Sequence, residues 1–256
     1  KLLDGGKIAE ARREFVVLAA ELGGADRDTA RVKIGAADYQ AKATAAALRY
    51  LRALQVSSPD ADAERLYYLV LCEERNNNAE QVMAELDQLG RLYPSSPWRL
   101  KALTAAANRY LVTNQIDAYE PLYRACYETF PKSQDAAVCH WKVTWGHYIR
   151  RRDDAVTMLK SHLRLFPQSE AASAALYFLG HKSEEAGNPS DALAYYREAV
   201  GQYPNEYYGM QARSRIAKLG EVAPSAEVSQ FLASLPFPKR ARTQNFEPTE
   251  ASKTRF

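Results

Sequence analysis

Apolar residues recur along most of the chain at the spacing that gives an α-helix one continuous apolar face. In one such run, the first apolar residue is followed by others one, four, seven and eight positions later: Ala192, Leu193, Tyr196, Ala199 and Val200. Residues at these intervals share one side of a helix, whereas a half-buried strand alternates at every second position. The longer apolar runs all have the helical spacing, so the sequence predicts an all-α protein.

Prolines separate these helical runs at nearly constant intervals. Pro59, Pro94, Pro131, Pro167 and Pro204 follow one another after 35, 37, 36 and 37 residues. A fixed period of this length is the sequence signature of a stacked repeat. Each interval contains two amphipathic runs joined by a short polar turn, so the repeating unit is a pair of helices.

An aromatic–proline pair ends one unit, and a serine begins the next. Proline cannot continue the helix, and it places the residue before it in an extended conformation. Ser96, Ser133 and Ser169 each follow two residues after such a proline, and we predict that they are helix N-caps.

The interval that ends at Pro204 resembles a tetratricopeptide repeat. The positions that define the pattern of this family are occupied by Leu179-Gly180, Ala192, Tyr196, Ala199 and Pro204. Leu176 and Ser183 depart from the pattern, which has tryptophan and tyrosine at these two positions.

This resemblance covers residues 1–220 and implies a right-handed superhelix of tetratricopeptide-like helix pairs, with about five and a half repeats. The opening run corresponds to the second helix of a repeat, so we expect its first helix and any targeting segment to precede Lys1. Residues 221–256 contain four prolines and no repeat, which predicts an irregular C-terminal linker or strap. One short helix is expected around Ala226–Leu235, and its apolar residues could lie against the repeats.

Composition argues against several classes of protein. The formal net charge of +3 over 256 residues is too small to indicate nucleic acid binding. No run approaches the roughly 20 apolar residues that a membrane-spanning helix needs. The sequence also lacks recognised metal, phosphate-binding and catalytic motifs. We therefore expect no metal and no cofactor, and we expect that this segment is not itself an enzyme.

The three cysteines leave two alternatives open. Cys126 ends one predicted helix and Cys139 begins the next, so antiparallel packing could bring the two within reach of a disulfide. Buried free thiols are favoured, because the small cysteine side chain is common in protein cores. Cys72 would be free in either case.

The first helices of such repeats line a concave groove, where ligands commonly bind. Seven side chains are predicted to point into it: Tyr67, Asn108, His140, His147, Tyr148, Tyr177 and His181. They would recognise a peptide or a glycan by aromatic stacking and hydrogen bonds. The alternative is that they are ordinary surface and packing residues.

The aromatic–proline–x–serine joints resemble those of bacterial cell-envelope repeat proteins, including soluble lytic transglycosylases. Residues Tyr207 to Ile216 are similar to a Tyr-Tyr-Gly-x-x-Ala-x-x-Arg-Ile/Leu segment that recurs in the helical region of those enzymes. The resemblance implies a non-catalytic scaffold and binding surface that acts with peptidoglycan in the periplasm. The Glu-Ser motif that carries the catalytic glutamate of those enzymes is absent, so catalysis would need a domain after Phe256.

Two other functions stay open. The first is an envelope adaptor that binds partner proteins or peptides in the groove, such as an outer-membrane assembly lipoprotein. The second is a cytosolic scaffold.

Overall fold

The computed structural model describes residues 5–220 and 223–237, and in this part of the chain it contains helices and no strand. The thirteen helices of these residues are α1 (Ile8–Glu21), α2 (Gly24–Gln40), α3 (Thr44–Ala53), α4 (Pro59–Arg75), α5 (Ala79–Leu92), α6 (Pro97–Val112), α7 (Ile116–Thr129), α8 (Gln134–Ile149), α9 (Ala155–Leu165), α10 (Ala172–Glu185), α11 (Pro189–Gln202), α12 (Tyr207–Ile216) and α13 (Ala226–Ser234).

The predicted all-α helical repeat is confirmed. In chain order, α1 takes the place of the leading half repeat, and α12 follows the repeats as a closing helix. The contacting helix pairs of successive repeats are α2 with α3, α4 with α5, α6 with α7, and α10 with α11. Helix α13 lies within the range predicted for the short helix of the strap. The helix pairs thus follow the proline intervals read from the sequence.

Contacts between helices divide the chain into two compact units, residues 1–151 and 152–256. The first unit holds α1 to α8 and the second holds α9 to α13. This division falls inside the repeats, whereas the predicted boundary at residue 220 separates the repeats from the strap. The predicted boundary stays a prediction.

In the first unit the first helices form the more crowded layer of the stack. Helix α4 contacts both α2 and α6, while no comparable contact joins α3 with α5 or α5 with α7 among the residues described. A stack of helix pairs curves toward the layer in which neighbouring helices lie closer together. The predicted groove would lie on the open surface of α2, α4 and α6, and it stays a prediction.

Two of the three predicted serine N-caps are confirmed. Ser96 accepts a hydrogen bond from the backbone N–H of Trp98, and Ser133 accepts one from that of Ala136. The predicted N-cap at Ser169 is wrong, because the chain makes a further turn and α10 begins only at Ala172. The Ser169 hydroxyl instead lies 2.8 Å from His162 Nε2.

Glycine in the first helix allows a second helix to approach closely. A Cβ atom at Gly180 would lie 2.5 Å from the ring of Tyr196, and one at Gly35 would lie 2.4 Å from a methyl group of Leu51. Tyr196 and Leu51 are both fully buried. The glycines of the repeat pattern are therefore explained by packing.

The strap packs on the second unit where the structure describes it. Helix α13 contacts α11, and the Phe231 ring lies 6.3 Å from the ring of Tyr195. The Phe237 ring lies 6.2 Å from that of Tyr203. The expected contact of the apolar strap segment with the repeats is thus present. Residues 221–222 and 238–256 of the predicted strap lie outside the described residues.

Candidate functional site

Two of the predicted groove residues belong to the core. His140 and His147 are 1% and 2% exposed, because the side of α8 that carries them also carries the buried Val143 and packs on α7. The His140 ring lies 4.7 Å from that of Tyr127, and burial lowers the pKa of His140 to about 4. The prediction that these two histidines line the groove is wrong.

Four of the other predicted side chains are half-buried and one, Asn108, is exposed; the half-buried ones are Tyr67, Tyr148, Tyr177 and His181. Asn108 Oδ1 accepts hydrogen bonds of 2.7 Å from both Tyr123 Oη and Lys142 Nζ. The Tyr148 ring stacks on Trp145 at 5.3 Å. The roles of these five residues in binding stay predictions.

The structure joins Cys126 and Cys139 in a disulfide between α7 and α8. The free thiols favoured by the sequence are therefore not what the fold contains at these two positions. Cys72 is a free, buried cysteine, and desolvation raises the pKa of its thiol to about 11. A thiol with so high a pKa is a poor nucleophile near neutral pH.

The open surface of α2, α4 and α6 brings together a group of rings and charges that we call the first-helix surface: Lys33, Glu64, Tyr67, Trp98 and Lys101. The ring of Trp98 lies at its centre, 5.5 Å from the ring of Tyr67. The ammonium groups of Lys101 and Lys33 lie 4.1 and 5.3 Å from the Trp98 ring. Two cations thus face one half-buried indole, a favourable cation–π arrangement.

The charges of this surface do not cancel. The Glu64 carboxylate is 2% exposed and is hydrogen-bonded to Lys33, so the charge of Lys33 is largely compensated. Desolvation nevertheless raises the pKa of Glu64. Lys101 is exposed, and no carboxylate lies within ion-pair distance of it among the described residues. The surface therefore offers aromatic faces beside an available positive charge.

Sequence reasoning found only Tyr67 of this group. Lys33 and Lys101 lie 34 residues before and after Tyr67. The repeat itself advances by 35 and then 37 residues, as the left-handed residues Lys42, Asn77 and Asn114 after the successive first helices show. The lysines are therefore not at the positions equivalent to Tyr67, and projecting Tyr67 by one repeat would not have found them.

The second unit carries a different aromatic cluster on α10 and α12. The ring of Tyr208 lies 5.5 Å from that of Tyr177 and 5.2 Å from that of Phe178. The nearby guanidinium of Arg215 donates a hydrogen bond of 3.0 Å to Glu184. The positive charge beside this cluster is therefore neutralised by the Glu184 carboxylate.

The described residues contain no group of three or more His, Cys, Asp or Glu side chains that could hold a metal ion. Within the same residues, no helix combines the length and apolar character needed to cross a membrane. What this arrangement of rings and charges can do chemically is hold a ligand by stacking and ion pairing.

Comparison with known proteins supports the fold alone. No family model matches the sequence, and no curated protein matches it. The structure is similar to the crystal structure of BtubC (BKLC) from P. vanneervenii, with a TM-score of 0.53 and 16% sequence identity. The match covers 86% of this chain and 94% of that chain. The protein is thus an all-α helical-repeat solenoid, and its likeness to tetratricopeptide proteins and transglycosylases stays a prediction.

Proposed function

We propose that this chain is a non-catalytic scaffold of a bacterial cell envelope whose first-helix surface binds peptidoglycan. The observation that carries the proposal is the half-buried Trp98 ring, which has Tyr67 beside it and the ammonium group of Lys101 4.1 Å from its centroid. Large rings that combine an apolar face with a nearby charge are typical of recognition surfaces.

Peptidoglycan has the two chemical features that this surface complements. Its sugar rings present C–H faces that stack on Trp98 and Tyr67. The stem peptides attached to the sugars carry carboxylates, which pair with Lys101. An acidic protein segment would offer the carboxylates without the sugar rings, so an envelope adaptor that binds acidic peptides is the alternative.

The disulfide favours an envelope location. Disulfides persist in oxidising compartments such as the bacterial periplasm and are rare where thiols are kept reduced. The bond between Cys126 and Cys139 therefore supports the periplasmic assignment over a cytosolic scaffold.

Isothermal titration calorimetry with soluble peptidoglycan fragments and with an acidic peptide separates these readings. We expect the fragments to bind and the acidic peptide to bind at least tenfold more weakly, because the peptide lacks sugar rings. Preferential binding of the peptide would favour the adaptor, and binding of neither would exclude the first-helix surface as the site.

Matched variants locate the site. Trp98→Ala and Lys101→Ala should each weaken binding by at least about tenfold, which corresponds to roughly 1.4 kcal/mol. Met83→Ala is the control, because Met83 is an exposed apolar residue on the second helix α5. Equal losses in Trp98→Ala and Met83→Ala would mean that binding is non-specific.

We further propose that the chain is the helical region of a soluble lytic transglycosylase. The similarity of residues Tyr207 to Ile216 to the corresponding segment of those enzymes supports this finer assignment. We expect the gene to continue past Phe256 into more helices and a catalytic domain with the Glu-Ser motif. A stop codon soon after Phe256 would contradict the assignment and leave the scaffold.

A further inference from the structure

A cavity separate from the first-helix surface lies between the turn that follows α4 and the end of α6. Its volume is about 190 Å³, which suits a ligand the size of a small amino acid. Apolar and aromatic wall atoms come from Ala79, Val82 and Tyr110, and charged groups come from Glu74 and Arg109.

The carboxyl group of Glu74 lacks part of its expected hydrogen bonding. Its Oε1 atom is buried and has no hydrogen-bond partner among the described residues. Leaving such an atom unsatisfied costs about 1–3 kcal/mol, so native structures seldom retain one without a reason. Burial raises the pKa of Glu74 to about 7, while the nearby Arg109 acts in the opposite direction.

Arg109 presents an opposite charge from the other helix. One of its terminal nitrogens donates a hydrogen bond of 2.7 Å to Asn77 Oδ1, which holds the side chain in place. A guanidinium has five N–H donors, so most of them stay available to a ligand. Arg109 and Glu74 line the same cavity, yet they form no ion pair with each other within the described residues.

Opposite charges that stay apart across a cavity complement a ligand that carries both charges. We infer that this cavity binds the zwitterionic head of an α-amino acid. The ammonium group pairs with the carboxyl group of Glu74, the carboxylate accepts from the Arg109 guanidinium, and a short side chain packs on Val82 and Tyr110. This inference does not rest on the proposed peptidoglycan surface.

Nuclear magnetic resonance titration with blocked analogues tests the recognition of both charges. L-alanine and D-alanine are compared with N-acetylalanine, which lacks the ammonium, and with alanine amide, which lacks the carboxylate. We expect at least one alanine enantiomer to shift resonances of residues that line the cavity, and we expect each blocked analogue to bind at least tenfold more weakly. Equal binding of the blocked analogues, or no binding of alanine at millimolar concentration, would overturn the inference.

Variants assign the two charges to the two residues. Glu74→Gln and Arg109→Gln should each weaken alanine binding by at least tenfold. Glu85→Gln is the matched control, because Glu85 Oε2 is also buried without a partner but Glu85 does not line this cavity. A loss in Glu85→Gln as large as that in Glu74→Gln would contradict the assignment.

Two further results separate a loss of alanine binding from unfolding and from an effect of the first-helix surface. Circular dichroism spectra of all variants should match the wild type, and Arg109→Lys should retain part of the affinity because it keeps the charge. Alanine binding should be unchanged in Trp98→Ala. The failure of the peptidoglycan proposal would therefore leave this inference standing, and the reverse also holds.

Discussion

The two units both present aromatic rings on their first helices, but they differ in the charges beside the rings. In the first unit, Lys101 lies over Trp98 without a carboxylate partner among the described residues. In the second unit, Arg215 beside Tyr177 is bound to Glu184. Rings alone therefore do not distinguish the proposed binding surface from the cluster on α10 and α12. The difference lies in the charge of Lys101, which has no ion-pair partner among the described residues and only the longer-range attraction of Glu64.

The two units also differ in the atoms that pack against their helix glycines. At Gly209 in the second unit, an added Cβ would lie 1.8 Å from the backbone carbonyl oxygen of Tyr203. At Gly35 in the first unit, the obstacle is the side chain of the buried Leu51, from its Cγ outward, and no backbone atom. The first unit also holds all three cysteines and the disulfide.

The largest expected effect comes from Gly209→Ala. The backbone of Tyr203 must move to admit the new methyl group, so we expect a loss of about 3 kcal/mol in the free energy of unfolding. Gly35→Ala should lose only about 1–2 kcal/mol, because a side chain and not the backbone must shift. Gly201→Ala is the control, since nothing lies within 4 Å of a Cβ there. Urea denaturation measures all three, and a larger loss for Gly35→Ala would reverse the comparison.

Reduction of the disulfide should act on the first unit alone. Cys126 and Cys139 are 13 residues apart, and a disulfide that closes a loop of this length contributes about 3 kcal/mol. Hydrogen exchange should therefore show faster exchange in α7 and α8 after reduction, with little change in α11. Thiol counting of the denatured, unreduced protein should find one free thiol, that of Cys72. Three free thiols would show that the bond does not form.

Glu74→Gln should change how stability depends on pH. The folded state raises the pKa of Glu74 from 4.5 to about 7, so folding favours the protonated form. This contribution to stability is fully present below about pH 4.5 and is lost as the pH rises through about 7. The variant should thus be more stable than the wild type above pH 7 by about 2 kcal/mol, since the half-buried site receives less than the full effect of the shift. The two proteins should be similar below pH 4.5. An unchanged difference across this pH range would refute the prediction.

The smallest effects concern matched charge removals in the two units. Lys101→Ala should reduce the affinity for peptidoglycan fragments and the dependence of that affinity on salt, because it removes an exposed charge. Arg215→Ala should leave the affinity unchanged, because its charge is already paired with Glu184. Melting temperatures of both variants should lie close to the wild type, since neither an exposed cation–π contact nor an exposed ion pair contributes more than about 1 kcal/mol. Equal affinity losses would mean that net charge, and not the first-helix surface, drives binding.

The sequence by itself determined the order of the elements. Apolar spacing is a local property of a helix, so Ala192, Tyr196 and Ala199 were sufficient to predict α11. Proline removes a backbone donor wherever it stands, so the prolines at regular intervals marked the boundaries between helix-pair repeats. For the same reason the prediction of α13 from residues 226–235 was confirmed.

Tertiary structure alone decided which side chains are available. His140 and His147 share a face of α8 with Val143, and only the packing of α8 on α7 determined that this face is buried. Lys101 follows Trp98 by three residues on α6, so their proximity is local to that helix. The place of both beside Tyr67 needed the stacking of α6 on α4. Burial and pairing of a side chain depend on neighbours that lie on other helices, so local spacing predicts the helices but not the site.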